Sequence, residues 1–331
     1  MEGSVHDTAL PGSEEAALAT RAAWLYHAGG FTQSEVAERL GIAAAKAHRL
    51  IARATRAGLV RVFVEGPIGG CIALEDALSA RHALTICRVV PALGERGLPL
   101  RALGTAAASF LREALERGAH RVIGLGHGRT LAAAVDFLPP TPAPQVRLVS
   151  LLGGLPRRIR TGPFDVIHRV AEKTGSDAYL LPVPMFADSE ADAAVLRRQR
   201  GVAETLALAA EASLVLAGIG PIAEAAFLPM AGMVTQDEVR ALRDAGAAGE
   251  MLGRYFAADG SPIATDLHDR LIALPPRQGG GVVAVAGGTE KIDAIRAVLA
   301  SRVLAGLITD EPTARRLLDP PDMPREMRER D

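Results

Sequence analysis

Two stretches of the chain bring glycine amides, a hydroxyl and a cation to the same kind of place. The first is GLGHGRT, residues 124–130, behind the apolar run Arg121-Val122-Ile123 and ahead of the helical pattern Leu131-Ala132-Ala133-Ala134-Val135. The second is Gly287-Gly288-Thr289-Glu290-Lys291, behind VVAVA and again ahead of a helical pattern. At a strand-to-helix turn, unpaired amides and the positive end of the helix dipole favour an oxyanion. Gly126, His127, Gly128, Arg129 and Thr130 in one loop, and Gly287, Gly288 and Lys291 in the other, are therefore the leading ligand-binding candidates. Lys291 sits where a cation is electrostatically costly unless an anion lies between it and the helix end. A phosphorylated sugar would suit both loops. Neither has the G-x-G-x-x-G spacing of a dinucleotide fingerprint or the G-x-x-x-x-G-K-[ST] spacing of a P-loop. Tight turns with solvated cations would read the same way, so the loops alone leave open whether a ligand is transformed, sensed or absent.

Other polar positions speak more weakly. Gly153-Gly154 and Gly218-Ile219-Gly220 also follow apolar runs and could line the same crevice, although turn chemistry explains them nearly as well. Asp188 could cap the following helix or accept sugar hydroxyls, and Glu250 could do the latter. The run Arg157-Arg158-Ile159-Arg160 reads as a solvated loop. The histidines show no metal-ligand spacing. No positioned acid/base pair is visible beside either loop, so no catalytic residue, cofactor or metal is assigned.

The loops need a scaffold, and the pattern supplies one. Beyond Gly66-Pro67 the runs LTICRVV, RVIGLG, QVRLVSLL, AYLLPVP, SLVLAGIG, DRLIALP, GVVAVAGG and RVLAGLIT alternate with helical stretches such as LGTAAASFLREALERG. Several runs are apolar throughout, as parallel strands covered on both faces are. The expected fold is α/β, a Rossmann-like doubly wound sheet, whose ligands bind beyond the carboxyl ends of the strands.

The amino-terminal segment has a different character. Between Arg21 and Val64 the bases are Arg21, Arg39, Lys46, Arg49, Arg53, Arg56 and Arg61, against only Glu35 and Glu38. A first helix carries Leu18, Ala22 and Leu25 on one face and ends at Gly29-Gly30. Thr32-Gln33-Ser34-Glu35 is a capping box opening a helix to about Leu40. Gly41 supplies a turn, and a third helix runs from about Ala43 to Ala57. Ala47, Leu50, Ile51, Ala54 and Ala57 form its packing face, and Lys46, Arg49, Arg53 and Arg56 form a basic one. Leu59 to Glu65 reads as a strand and fits a wing. The combination predicts a helix-turn-helix whose last helix enters the DNA major groove. Thr32, Gln33, Ala44, Lys46, His48, Arg49 and Arg53 are the expected DNA contacts.

Composition bounds these readings. With 331 residues, 49% hydrophobic and 23% charged, the chain suits two globular domains, and its net charge of −1 excludes a wholly basic nucleic-acid binder. No apolar stretch is long enough to span a bilayer, and the opening MEGSVHDTALPGSEEA carries acids where a signal peptide carries bases. A cytoplasmic protein with no membrane partner is expected. Cys71 and Cys87 are too few for a disulfide framework.

Taken in order, FTQSEVAERLGIAAAKAHRLIARATRAGLVRV, VIGLGHGRTLAAAV, VSLLGGL, LPVPMFADS, VLAGIGP, GAAGEMLGRYFAADGSPI and VAVAGGTEKIDAIRAVLASRVLAGLITDEPTARRLL resemble the SorC family of sugar-binding bacterial transcriptional regulators, related to the DeoR group. The resemblance runs from about Arg21 to Leu318. It implies an effector domain derived from a sugar-phosphate isomerase-like fold, binding a sugar, a polyol or its phosphate. It also implies a homo-oligomer, a tetramer or dimer, on double-stranded operator DNA. Gly126, Gly128, Arg129 and Thr130 carry over as the first effector loop, and Gly287, Gly288 and Lys291 as the second, anion-binding one. Asp188 and Glu250 carry over more loosely as pocket residues. His127 stands where the family commonly has an aromatic residue, and AAAKAHRL lacks the usual Ser/Thr-rich start, so only the mode of DNA binding transfers.

The expected organisation is a flexible start (1–14), a helix-turn-helix domain (15–66), an effector-binding and oligomerisation domain (67–318) and a tail (319–331). The function expected is a DNA-binding regulator of a carbohydrate or polyol catabolic operon, its loop holding a ligand that is sensed and not transformed. The alternative is a sugar-phosphate isomerase or deaminase-like enzyme with an appended helical domain.

Overall fold

A computed structural model describes residues 14–57, 59–60, 69–95, 97–154, 166–274 and 281–320. The chain divides into two compact units, Met1–Glu65 and Gly66–Asp331. The expected flexible start up to residue 13, the wing from Arg61 to Glu65, the Arg157–Arg160 run and the tail from residue 321 lie outside the described residues. Leu59 and Val60 belong to no regular element.

In the first unit, α1 (Glu14–His27), α2 (Gln33–Leu40) and α3 (Ala44–Arg56) pack around Ala19, Ala22, Ala23, Val36, Ala37, Ala47, Leu50, Ile51 and Ala54. The α2 start is a complete capping box: the Glu35 N–H donates to the Thr32 hydroxyl at 3.4 Å, and the Thr32 N–H to the Glu35 carboxylate at 2.8 Å. Gly41 closes α2 in the left-handed region at φ 64°, which turns the chain into α3. Ala57, expected on the packing face, is exposed instead, because it lies one residue past the last turn of α3.

The second unit begins with α4 (Gly69–His82) and β1 (Ile86–Val90). Then follow α5 (Leu100–Arg117), β2 (Val122–Leu125), α6 (Arg129–Phe137), β3 (Arg147–Gly153), α7 (Val166–Thr174) and β4 (Asp177–Leu181). Helices α8 (Glu190–Arg198) and α9 (Arg200–Ala210) lead to β5 (Leu214–Ala217). An excursion follows through β6 (Gly220–Pro221), α10 (Phe227–Met230), α11 (Gln236–Asp244), β7 (Ala247–Met251), β8 (Arg254–Ala257) and α12 (Asp266–Arg270). The chain returns through β9 (Val282–Val285), α13 (Ile292–Ala300), β10 (Gly306–Asp310) and α14 (Glu311–Leu318).

Seven strands form one parallel sheet in the order β1-β10-β9-β5-β2-β3-β4. Every residue of β2, β5 and β9 is buried, since helices cover both faces. From the central β5/β2 pair the chain winds one way through β3 and β4 and the other way through β9 and β10. The loops leaving β2 and β5 thus diverge, and a crevice opens between them.

Two elements differ from the sequence expectation. DRLIALP is not a strand: Thr265 caps the short helix α12 by accepting from the Leu267 N–H, and only isolated bridges at Leu271 and Ala273 follow. Conversely, β6, β7 and β8 form a small antiparallel sheet that hydrophobic runs did not reveal. Its hairpin turns on Leu252 (φ 53°) and Gly253 (φ 76°), a two-residue turn with both residues left-handed.

Candidate functional site

The crevice holds a solvent-open cleft lined by His127–Thr130 after β2, Leu152 in β3, Gly218–Pro221 after β5, Phe227 and Leu228 of α10, Glu250 and Leu252 of the small sheet, and Lys291 after β9. Of the sequence candidates it brings together His127, Gly128, Arg129, Thr130, Gly218, Ile219, Gly220, Glu250 and Lys291. It offers water-sized groups about 60 Å³, roughly the room of a handful of water molecules. That suits a small ligand.

Glu250 is half-buried, and its Oε1 accepts from the Gly253 N–H at 2.7 Å. Burial pushes its carboxyl up to about 7, against the opposing pull of that hydrogen bond and of Lys291. Opposite it in β6 stands Gly220, where a Cβ would come within 2.7 Å of Oε2. A side chain there would push the carboxylate aside.

Lys291 closes a short 3-10 turn, Thr289–Lys291, and is 6% exposed. Its ammonium donates to the Ile219 carbonyl at 2.9 Å. Burial, helped by the charge of Arg129, brings its pKa down to about 8, while Glu290 and Glu250 pull the other way. The cleft thus holds an acid and a base that both titrate near neutrality. No acid/base pair was visible beside the loops, because these residues lie on separate elements that only the excursion after β5 brings together.

The first loop lies at the cleft. Gly128 (φ 122°) precedes α6, whose start has no side-chain cap; Thr130 is buried and Arg129 exposed at the cleft. His127 lies 3.5 Å from the Ser150 hydroxyl. The second loop departs from expectation at Gly288: its N–H is not free but donates to the Thr313 hydroxyl at 2.8 Å and the Asp310 carboxylate at 3.2 Å. With a buried carboxylate behind the loop, Gly288 cannot offer that amide to an anion, and a Cβ on Gly287 would meet Asp310 at 2.1 Å.

The remaining candidates do not line the cleft. Gly126 is buried, its N–H donating to Leu216 O across to β5 at 2.8 Å. Gly153 packs on the Pro184 backbone and Gly154 on the His127 ring. Asp188 is exposed, and the cap of α8 is its neighbour Ser189. Sequence reasoning missed the apolar walls Phe227, Leu228 and Leu252, which look like core residues in a linear reading.

On the first unit, Ala44, Lys46, His48 and Arg49 are exposed along α3. Arg53 is half-buried and pairs with Glu15 at 3.0 Å. Thr32 is spent on its cap, with Gln33 beside it.

Residues 66–319 match the Sugar-bind family model, described as "Putative sugar-binding domain". The erythritol catabolism regulatory protein EryD of Brucella abortus is 49% identical over 307 residues, covering 92% of this chain and 97% of that protein. The chain belongs to the SorC family of sugar-binding transcriptional regulators. Another relative, transcriptional regulator LsrR of Escherichia coli K12, is 30% identical over 325 residues, covering 95% of this chain and 99% of its own. The fold of this SorC-family chain matches the full-length sorbitol operon regulator SorC from Klebsiella pneumoniae, with a TM-score of 0.68 at 23% identity over 93% of this chain and 100% of that one. These relatives are transcriptional regulators, and the chain is a regulator of that kind and not an enzyme. The isomerase alternative is not favoured, despite the acid and base in the cleft. No described helix is long and apolar enough to cross a membrane.

Proposed function

We propose that the protein is a cytoplasmic repressor or activator of a polyol catabolic operon, with a short acyclic polyol or its monophosphate as effector in the cleft. The observation that carries this reading is the site at the β5/β2 divergence: one carboxylate and one ammonium, both partly stripped of water, facing one small solvent-open cleft. Paired hydroxyls can donate to Glu250 and accept from Lys291. EryD is named for erythritol and SorC for sorbitol, both acyclic polyols, which supports the class.

In this reading residues 15–66 form a helix-turn-helix head, with Ala44, Lys46, His48 and Arg49 presented to DNA and Thr32, Gln33 and Arg53 at the margins. Residues 67–318 form the effector and oligomerisation domain, and 319–331 a tail. The exposed basic face of α3 supports the DNA role. A parallel α/β crevice holding an acid and a base is consistent with descent from a sugar-phosphate isomerase-like fold. Effector binding shifts the oligomer, dimer or tetramer, between states of different operator affinity.

A thermal-shift screen with polyols, sugars and their phosphates tests the reading. A true effector at 100 times its Kd stabilises by about 2.7 kcal/mol. If only cyclic sugars or large sugar bisphosphates stabilise, the polyol class is wrong.

A further inference from the structure

Behind Glu250 lies a second cavity, walled by Ile222, Val234, Val239 and Leu242 and sharing Phe227, Leu228 and Glu250 with the cleft. Its polar lining is confined to few groups, and one of them is Tyr255. The register explains why. Gly220 in β6, Glu250 in β7 and Tyr255 in β8 are direct cross-strand partners, so their side-chain positions form one row on one face of the small sheet. Gly220 leaves space, Glu250 stands at the wall between the two cavities, and Tyr255 lines the rear one.

Tyr255 is 3% exposed, its ring stacked on His268 with centroids 5.9 Å apart. Its backbone N–H is satisfied by the His268 Nε2 at 3.0 Å. Its phenol has no hydrogen-bond partner among the described residues. The hydroxyl is not sealed off by protein atoms, so it faces the cavity, where a ligand oxygen can take the place of water. The cavity gives water-sized groups about 20 Å³, room for one small group.

We propose that this cavity is a terminal subsite of the effector cleft that takes one free hydroxymethyl group. The methylene packs on Val234, Val239 and Leu242, and the hydroxyl bridges the Tyr255 phenol and the Glu250 carboxylate. An ionised phosphate is excluded from this end, because it would meet apolar walls and a carboxylate. Any phosphate on the effector therefore belongs at the opposite end, towards Arg129 and the α6 start. The inference rests on the polyol reading above and extends it to the direction in which the ligand lies.

Calorimetric titration of the full chain with erythritol and with meso-butane-2,3-diol, which has a methyl in place of each terminal hydroxymethyl, tests it. Wild type is expected to prefer erythritol by about tenfold or more, and Tyr255→Phe to reduce that preference about threefold or more with little change in diol affinity. A second variant, Ala226→Val, narrows the same cavity and is expected to weaken erythritol by about tenfold. An undiminished preference in Tyr255→Phe, or unchanged erythritol affinity in Ala226→Val, overturns the subsite while leaving the polyol reading intact. Absence of binding of either compound to wild type overturns both.

Discussion

The Lys291 ammonium donates to the Ile219 carbonyl at 2.9 Å and so ties the loop after β9 to the loop after β5 inside the cleft. Lys291→Ala leaves that carbonyl without its donor and removes the cation that offsets Glu250. Hydrogen bonds to charged groups contribute about 1.5–3 kcal/mol, so polyol affinity is expected to fall by about tenfold or more. The loss should fall on a neutral polyol as well as on its phosphate, because Gly288 no longer counts as part of an anion cradle. Titration of both ligands against both proteins checks this. A loss confined to the phosphate would restore the second loop as the phosphate site.

Proton linkage gives a second test. The Glu250 carboxyl, raised to about 7, is ionised only above that pH, and Lys291, lowered to about 8, is charged only below its own. If the ligand needs both charges, affinity peaks between about 7 and 8. It falls below that window as Glu250 takes up a proton and above it as Lys291 loses one, each limb approaching tenfold per pH unit. Glu250→Gln should flatten the acid limb. A pH-independent Kd from 6 to 9 would contradict the arrangement.

Gly220→Ala should disable the site without unfolding the domain. Its Cβ would lie 2.7 Å from the Glu250 Oε2, so the carboxylate must move. Gly218→Ala is the control, since its Cβ would sit 3.7 Å from the His127 carbonyl, an ordinary contact. Polyol affinity is expected to drop about tenfold in the first variant and less than twofold in the second.

The capping box at Thr32, the α3 packing face and the apolar strands were legible because each signal is local: a residue type at a fixed offset fixes a cap or a buried face. The cleft was legible only in part. GLGHGRT could be found because a strand-to-helix turn advertises itself over seven neighbouring residues, and the Lys291 loop for the same reason. Glu250 looked solitary because Gly220 and Tyr255 meet it through the small sheet, whose Leu252-Gly253 turn lacks the usual Asn-Gly signal, and Lys291 comes from the loop after β9. The amide of Gly288 looked free because Asp310 and Thr313 reach it only through the β9–β10 packing.

On the first unit, Lys46 and Arg49 are exposed, whereas Arg53 is held by Glu15. Replacing Lys46 and Arg49 by Ala should weaken DNA binding strongly and lower its salt dependence by about one log-log unit per lost phosphate contact. Arg53→Ala should cost less. Anisotropy titrations on a duplex selected from random DNA, at several salt concentrations, give both quantities. Unchanged affinity in the double variant would remove α3 from the DNA interface.

The central claim is that a polyol bound in the β5/β2 cleft controls DNA affinity, and one titration tests it most directly. DNA affinity of the selected duplex is measured with and without saturating erythritol, for wild type and for Glu250→Gln. Coupling between sites of this kind is typically about 1–3 kcal/mol. The expected result is a change in wild-type DNA affinity of about fivefold or more, with the concentration needed shifted at least tenfold higher in Glu250→Gln. A wild-type DNA affinity indifferent to polyol, or a variant that responds at the same concentration, would contradict the account.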